Sequence, residues 1–265
     1  MGKDNSRDIS RDSSRDSSRD SSRDNVNVPE LLAAIRGGLV VSCQARPGEP
    51  LYGPHFMAEM AKAARLGGAR AIRANGAADI SAIKEAVPLP IIGINKRRVP
   101  GFSMFITPTA EDAAEVARAG SGMIAVECTS GSRPPDSMGR IWSTVDLADY
   151  IHSHLGLPAM ADISTYEEGL AAQDAGFDCV ATTLSGYTPN SPAIEGPDLA
   201  LVERLSAALS VPVIAEGRIS SPEDARRALE AGAWAVVVGK AITMPHTIVE
   251  RFVRMLPRGD GPFTA

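Results

Sequence analysis

Residues 212–243 read PVIAEGRISSPEDARRALEAGAWAVVVGKAIT. Two short apolar runs, Pro212 to Glu216 and Ala235 to Gly239, flank an amphipathic segment from Ser221 to Ala231. Ser221 followed by Pro222 and Asp224 reads as an N-cap with proline at the first helical position, and Gly232 as the stop past the helix end. Strand, helix and strand joined this closely form a βα repeat, the building block of a parallel sheet.

The pattern recurs upstream. Further apolar runs lie at Leu39 to Cys43, Ala71 to Ala74, Pro90 to Ile94, Met123 to Glu127, Pro158 to Asp162 and Cys179 to Thr183. Helical periodicity marks Phe56 to Arg65, Ala110 to Ala119 and Thr165 to Ala175, while Phe105 to Pro108 is assigned to a connection. Near-continuous apolar strands are covered on both faces, which in a parallel sheet means a closed barrel or a doubly wound sheet. No GxGxxG turn follows the first strand, as a doubly wound nucleotide fold would usually offer. Eight strands in 265 residues therefore predict an α/β protein built as a single (β/α)8 TIM barrel over residues 25–258.

Residues 1–24 are of another kind: a Ser/Arg/Asp repeat with six positive and six negative side chains and no apolar face. Such a segment buries too little to offset its ordering entropy and is expected to be a disordered, solvated extension. Residues 259–265 are read as a short C-terminal tail. A net charge of −5 supplies no basic footprint for nucleic acid or an anionic membrane, and no run reaches the length of a membrane span. A small-molecule partner and a cytoplasmic location are expected. Cys43, Cys128 and Cys179 are too far apart for a CxxC metal site and read as buried free thiols. His55, His152, His154 and His246 make no ligand set and read as solvent-facing, so no metal is expected.

The functional signal gathers at the carboxyl ends of the strands, where barrel enzymes carry their sites. Gln44, Arg73, Lys96, Glu127, Asp162, Thr183, Ser185, Glu216, Gly217, Arg218, Gly239 and Lys240 all fall there. The glycines after the last two strands, with Arg218 and Lys240 beside them, suit a phosphate monoester, since backbone N–H groups can point at the anion; tight turns that merely need glycine are the alternative. Lys96 on the third strand and Glu216 on the seventh face each other across an eight-stranded mouth. Opposed groups of this kind can take a proton from one face of a carbon and return one to the other, although either alone could be a salt-bridged rim charge. For Lys96 to act as a base, desolvation or the nearby Arg73 and Arg97 must lower its pKa. Asp162 is read as orienting Lys96 or a substrate hydroxyl, or as a structural ion pair.

The motifs GGLVVSCQARPGEPL, AIRANG, IIGINKR, FITPT, MADISTYEEG, FDCVATTLSGYT, PVIAEGRI and AVVVGKAIT together resemble the N-acylglucosamine-6-phosphate 2-epimerase family, the N-acetylmannosamine-6-phosphate epimerases of sialic acid catabolism. The resemblance runs from about Gly37 to Val253. It implies a barrel of the ribulose-phosphate-binding type, a ring-opened amino-sugar phosphate as substrate and no cofactor; a homodimer is expected beside it. It makes Lys96 the base at C2, Glu216 the acid on the opposite face, and Asp162 a member of the catalytic group. Gln44 and Arg73 become substrate-holding positions, and Ser185, Gly217, Arg218 and Gly239 the phosphate end. From their place at the mouth Glu127 and Thr183 are read as further substrate contacts, and Lys240, which the family motif lacks, as a further phosphate-binding charge. Two departures stand out: Glu127 replaces an expected aspartate, and Met244 stands where the family reads AITRP. Another phosphate-binding barrel isomerase or synthase, or a catalytically dead sugar-phosphate sensor, are the competing readings.

Overall fold

In the computed structural model, which describes residues 29–257, eight parallel strands pair in chain order and close on themselves. They are β1 (Leu39–Cys43), β2 (Ala71–Asn75), β3 (Ile91–Ile94), β4 (Met123–Glu127), β5 (Ala159–Asp162), β6 (Cys179–Ala181), β7 (Val213–Glu216) and β8 (Ala235–Val238), with β8 returning to β1 at Val40↔Val237. Around them run α2 (Pro54–Leu66), α3 (Ala77–Ala86), α4 (Ala110–Arg118), α5 (Thr144–Leu155), α6 (Tyr166–Asp174), α7 (Leu199–Ala208) and α8 (Pro222–Glu230). A short first helix α1 (Glu30–Ile35) precedes the barrel, and α9 (Lys240–Thr243) and α10 (Pro245–Met255) follow it. Both terminal segments set apart from the sequence, 1–24 and 259–265, lie outside the described residues.

Local chemistry explains the boundaries. Four helices open with reciprocal capping boxes, Thr109 with Asp112, Ser143 with Asp146, Thr165 with Glu168 and Ser221 with Asp224. Pro90, Pro158 and Pro212 fall just before their strands because proline has no N–H for the ladder, yet each lends its carbonyl to a neighbour: Ile72, Ile124 and Val180 donate to them at 3.0–3.1 Å. The strand at Cys179 stops at Ala181, two residues earlier than its sequence suggests, because a turn closed by Ser185 N–H to the Thr182 carbonyl begins there.

Strand alternation divides the core in two. Val40, Ala71, Ile92, Met123, Ala125, Met160, Cys179, Ala181, Ile214, Ala235 and Val237 fill the barrel interior. Their chain neighbours Val41, Ile72, Ile124, Ala161, Val180, Ala215 and Val236 point outward under the helices. Leu32 and Ile35 of α1 join the interior cluster, and the Trp234 indole N–H donates to the Leu32 carbonyl at 2.7 Å, so α1 closes the amino end of the barrel. Phe105 to Pro108 is a connection, touching Lys96 only through an isolated bridge at Ile106. The three cysteines are buried and unpaired. One histidine departs from expectation: His152 is not simply solvent-facing, since its Nε2 lies 2.8 Å from Asp178, whose carboxylate also accepts from the Ala159 N–H. The sequence pattern does not register Asp178 as a partner because it lies 26 residues away, in the turn before β6.

Candidate active site

Counting in twos along each strand from an interior residue reaches the candidate site. Val40 leads to Ser42 and Gln44, Ala71 to Arg73, Ile94 to Lys96, Ala125 to Glu127, Met160 to Asp162, Ala181 to Thr183, Ile214 to Glu216 and Val237 to Gly239. All share the inward parity of a strand with period two. Seven strands thus aim polar side chains into one mouth and the eighth brings Gly239 to it, while odd steps such as Arg97 turn away. Arg97 pairs with Asp112 of α4 at 3.0 Å, so it is not the neighbour that tunes Lys96.

Arg73 is the hub. It is 1% exposed and engages the fully buried Asp162 through both Nη atoms, at 3.0 and 2.5 Å, and Glu216 at 2.6 Å. Burial opposes its charge, but the two carboxylates outweigh that and hold it firmly protonated, above the usual guanidinium range. Thr183 Oγ1 braces both acids, reaching Asp162 at 2.6 Å and Glu216 at 3.2 Å. Asp162 therefore orients Arg73 and not, directly, Lys96. The Arg73 Nε–H has no hydrogen-bond partner, a buried donor left free at the floor of the mouth.

Lys96 is held from both ends: its backbone N–H donates to Asn75 Oδ1 at 2.8 Å and its Nζ to Gln44 Oε1 at 2.6 Å. The side chain keeps a solvent-accessible face at the open mouth, yet protein crowds it on the remaining sides. That crowding, with the Arg73 charge and more distantly Arg46, pulls its pKa down to about 8 against the opposing pull of Glu216 and Asp162. Glu216 moves the other way: burial pushes its carboxyl up, Asp162 adds to the effect, and Arg73 and Lys96 only partly offset it. Acid and base are thus drawn toward each other in pKa, the pattern of groups that exchange protons near neutrality.

The remaining expected residues are less free. Glu127 is buried and accepts from the Phe105 and Ile106 N–H groups at 2.9 and 3.2 Å and from Thr129 Oγ1 at 3.0 Å, so it anchors the loop before α4. Ser185 donates to Asp198, the N-cap of α7, at 2.6 Å. Arg218 adopts a left-handed backbone (φ 54°), donates from Nε to the Gly196 carbonyl and from Nη1 to the Ser185 carbonyl at 2.7 and 2.6 Å, and lies over the Tyr187 ring. It straps the β6–α7 loop, leaving only Nη2 for any anion. Gly217 (φ 105°) bends the chain after β7, Gly239 is the N-cap of α9, and the exposed Lys240 opens that helix with an uncommitted ammonium. Two further residues contribute: Asn75, which the sequence already places with Arg73 at the carboxyl end of its strand, and Ser42, which the sequence does not single out and which accepts from Gln44 Nε2 at 2.7 Å. Among the described residues no cluster of three or more His, Cys, Asp or Glu could hold a metal ion, and no helix is long and apolar enough to cross a membrane.

Fold and mouth together define the class of a (β/α)8-barrel enzyme, with its ionisable side chains gathered at the carboxyl end of the strands. A family model described as “Putative N-acetylmannosamine-6-phosphate epimerase” matches residues 57–257. A relative from Caldanaerobacter subterraneus, named “Putative N-acetylmannosamine-6-phosphate 2-epimerase”, is 50% identical over 227 residues, spanning 86% of this chain and 94% of its own. One from Clostridioides difficile with the same name is 46% identical over 85% of this chain and 99% of its own. The solved N-acetylmannosamine-6-phosphate 2-epimerase of Clostridium perfringens superposes with a TM-score of 0.81 at 47% identity, covering 85% of this chain and 96% of that one. A geranylgeranylglyceryl phosphate synthase of Thermoplasma acidophilum, at 20% identity and TM-score 0.52, shares the fold alone. The chain belongs to the N-acetylmannosamine-6-phosphate epimerase family.

Proposed function

We propose that the protein interconverts N-acetylmannosamine 6-phosphate and N-acetylglucosamine 6-phosphate in the catabolism of sialic acid and other amino sugars. The reading rests on one observation: Lys96 and Glu216 stand four strands apart in an eight-stranded ring, both facing inward, with Arg73 between them.

In the ring-opened sugar C2 lies beside the aldehyde, so its hydrogen is acidic. Neutral Lys96 takes that proton; the C2–H bond breaks, an N–H bond forms, and the electron pair moves into an enolate between C1 and C2. Protonated Glu216 then gives its proton to the opposite face of C2, restoring the aldehyde with inverted configuration. The reverse reaction exchanges the two roles. Arg73, held by Asp162 and Thr183, supplies fixed positive charge where the enolate oxygen develops. Gln44 steadies the base. The turns at Gly217–Arg218 and Gly239–Lys240 receive the phosphate, chiefly through backbone N–H groups and the Lys240 ammonium, as the side chains of Ser185 and Arg218 are largely engaged elsewhere. Glu127 acts on the substrate indirectly, through the loop it holds. The same reading makes the protein a cytoplasmic homodimer, a partnership favoured by the unburied apolar side chains of α10.

The test is incubation with N-acetylmannosamine 6-phosphate in D2O, followed by NMR. Appearance of the gluco epimer with deuterium at C2 is expected; complete retention of the C2 hydrogen through to equilibrium would overturn the two-group mechanism.

A further inference from the structure

We propose that Ser42 is a positioning residue for the Lys96 base: its hydroxyl holds the Gln44 side chain so that the amide oxygen, and not the amide nitrogen, faces Lys96. The proposal deepens the epimerase reading and rests on it.

A primary amide is nearly symmetric in shape but opposite in function at its two ends, one accepting hydrogen bonds and the other donating two. Which end meets Lys96 is decided by what meets the other end. Gln44 Nε2 donates to Ser42 Oγ at 2.7 Å, and Lys96 Nζ donates to Gln44 Oε1 at 2.6 Å. Rotating the amide by half a turn would press an NH2 group against an ammonium.

Ser42 is itself confined. It is buried on the inward parity of β1, its carbonyl accepts from Thr243 Oγ1 of α9 at 3.1 Å, and its Cβ lies 3.4 Å from where a side chain on Gly239 would begin. Ser42 therefore joins the turn after β8, the proposed phosphate end, to the residue that holds the base.

The charged groups around Lys96 are Arg73 from β2, Glu216 from β7, Asp162 from β5 and Arg46 from the loop after β1. Gln44 adds a neutral acceptor at the ammonium itself. A carbonyl oxygen at the ammonium favours its charged form, so freeing or flipping the amide makes Lys96 easier to deprotonate and also leaves its Nζ without a fixed direction.

The experiment compares wild type with Ser42→Ala, Ser42→Cys and Ser42→Thr, using N-acetylmannosamine 6-phosphate across pH. With the hydroxyl gone, the alkaline limb of kcat/KM should move about one pH unit lower, the scale of one hydrogen bond to a charged group, and kcat should fall about tenfold. Ser42→Cys, which keeps the shape but accepts weakly, should follow Ser42→Ala even if the latter folds poorly, and Ser42→Thr should restore the wild-type profile. In a Gln44→Ala background, Ser42→Ala should shift the limb no further. A wild-type profile in both Ser42→Ala and Ser42→Cys, or an equal shift with Gln44 absent, would overturn the proposal. The Lys96 side-chain amine is titrated in parallel by 15N-lysine NMR, where the same downward shift is expected without substrate and its absence counts against the role. A wild-type protein that does not epimerise the sugar phosphate would sink the epimerase reading, while this titration still decides what Ser42 does.

Discussion

At the scale of single residues, the proposed mechanism turns on the opposed shifts of Lys96 and Glu216. The competent pair carries one proton, either as ammonium with carboxylate or as amine with carboxylic acid. Below the raised pKa of Glu216 both groups are protonated, and above about 8 Lys96 loses its proton while Glu216 is already ionised. A bell-shaped kcat/KM is therefore expected, with its alkaline limb near pH 8 and its acid limb above the ordinary glutamate range. Lys96→Met and Glu216→Gln should each lower kcat by about 10²-fold or more, measured as single-turnover epimerisation. Either variant retaining wild-type turnover would remove that residue from the chemistry. The phosphate end yields a second expectation. Met244 is half-buried at the junction of α9 and α10, where the family resemblance implies an arginine. Loss of a charge-assisted contact is worth roughly 1.5 to 3 kcal/mol, so Met244→Arg should lower KM by about one to two decades and Lys240→Ala should raise it. Equal kcat/KM for N-acetylmannosamine and its 6-phosphate would show that neither turn receives phosphate.

At the scale of elements, the strands announce themselves because an apolar run ending in a polar residue is hard to write any other way in a barrel. Period-two counting then fixes which polar residues meet, and it reaches Gln44, Arg73, Lys96, Asp162, Thr183 and Glu216 without knowledge of the fold's details. Hydrogen-bond destinations are less legible. Nothing local to Glu127 tells that its carboxylate will turn back onto the Phe105 and Ile106 N–H groups, or to Arg218 that its guanidinium will strap the loop around Gly186 to Gly196; both depend on where a distant loop passes. The same holds for α1, six residues with no periodicity to count, which is recognisable only once an open barrel end needs Leu32 and Ile35. An element-level expectation follows from Glu127. Glu127→Ala strands two backbone donors and a hydroxyl, and should destabilise the protein by about 2 to 4 kcal/mol in denaturant unfolding. Because the loop it anchors leads from Lys96 to α4, kcat should fall with it. An unchanged unfolding midpoint would mean the loop is held by other contacts.

At the scale of the whole molecule, α1 closes the amino end of the barrel and the other end is open, while residues 1–24 are expected from their sequence to add nothing to the core. Their charge-balanced repeat offers no apolar surface, and their removal should leave both Tm and kcat unchanged. The opposite end of the chain differs in kind. Helix α10 follows the last strand, yet none of its residues is buried, and Val249, Phe252, Val253, Met255 and Leu256 all stand exposed. An isolated helix of 11 residues is marginal in water, and a contiguous apolar patch on a monomer marks an interaction surface. Its charges, with Glu250 and Arg254 paired along the helix, keep the remaining face polar, so the apolar stripe alone seeks cover. In the proposed homodimer a second copy presenting the same stripe would supply it with two-fold symmetry, the commonest closed arrangement for homo-oligomers. Light scattering should accordingly give twice the chain mass of 27.8 kDa, and Phe252→Asp with Val249→Asp should give a single chain that melts at lower temperature. Activity in that variant tells how far the mouth depends on pairing: α9 precedes α10 directly and ties to Ser42 through Thr243, so a frayed α10 should raise KM before it lowers kcat. A wild-type chain that scatters as a monomer, with α10 no less protected from amide exchange than α8, would mean that the helix finds its cover within one chain.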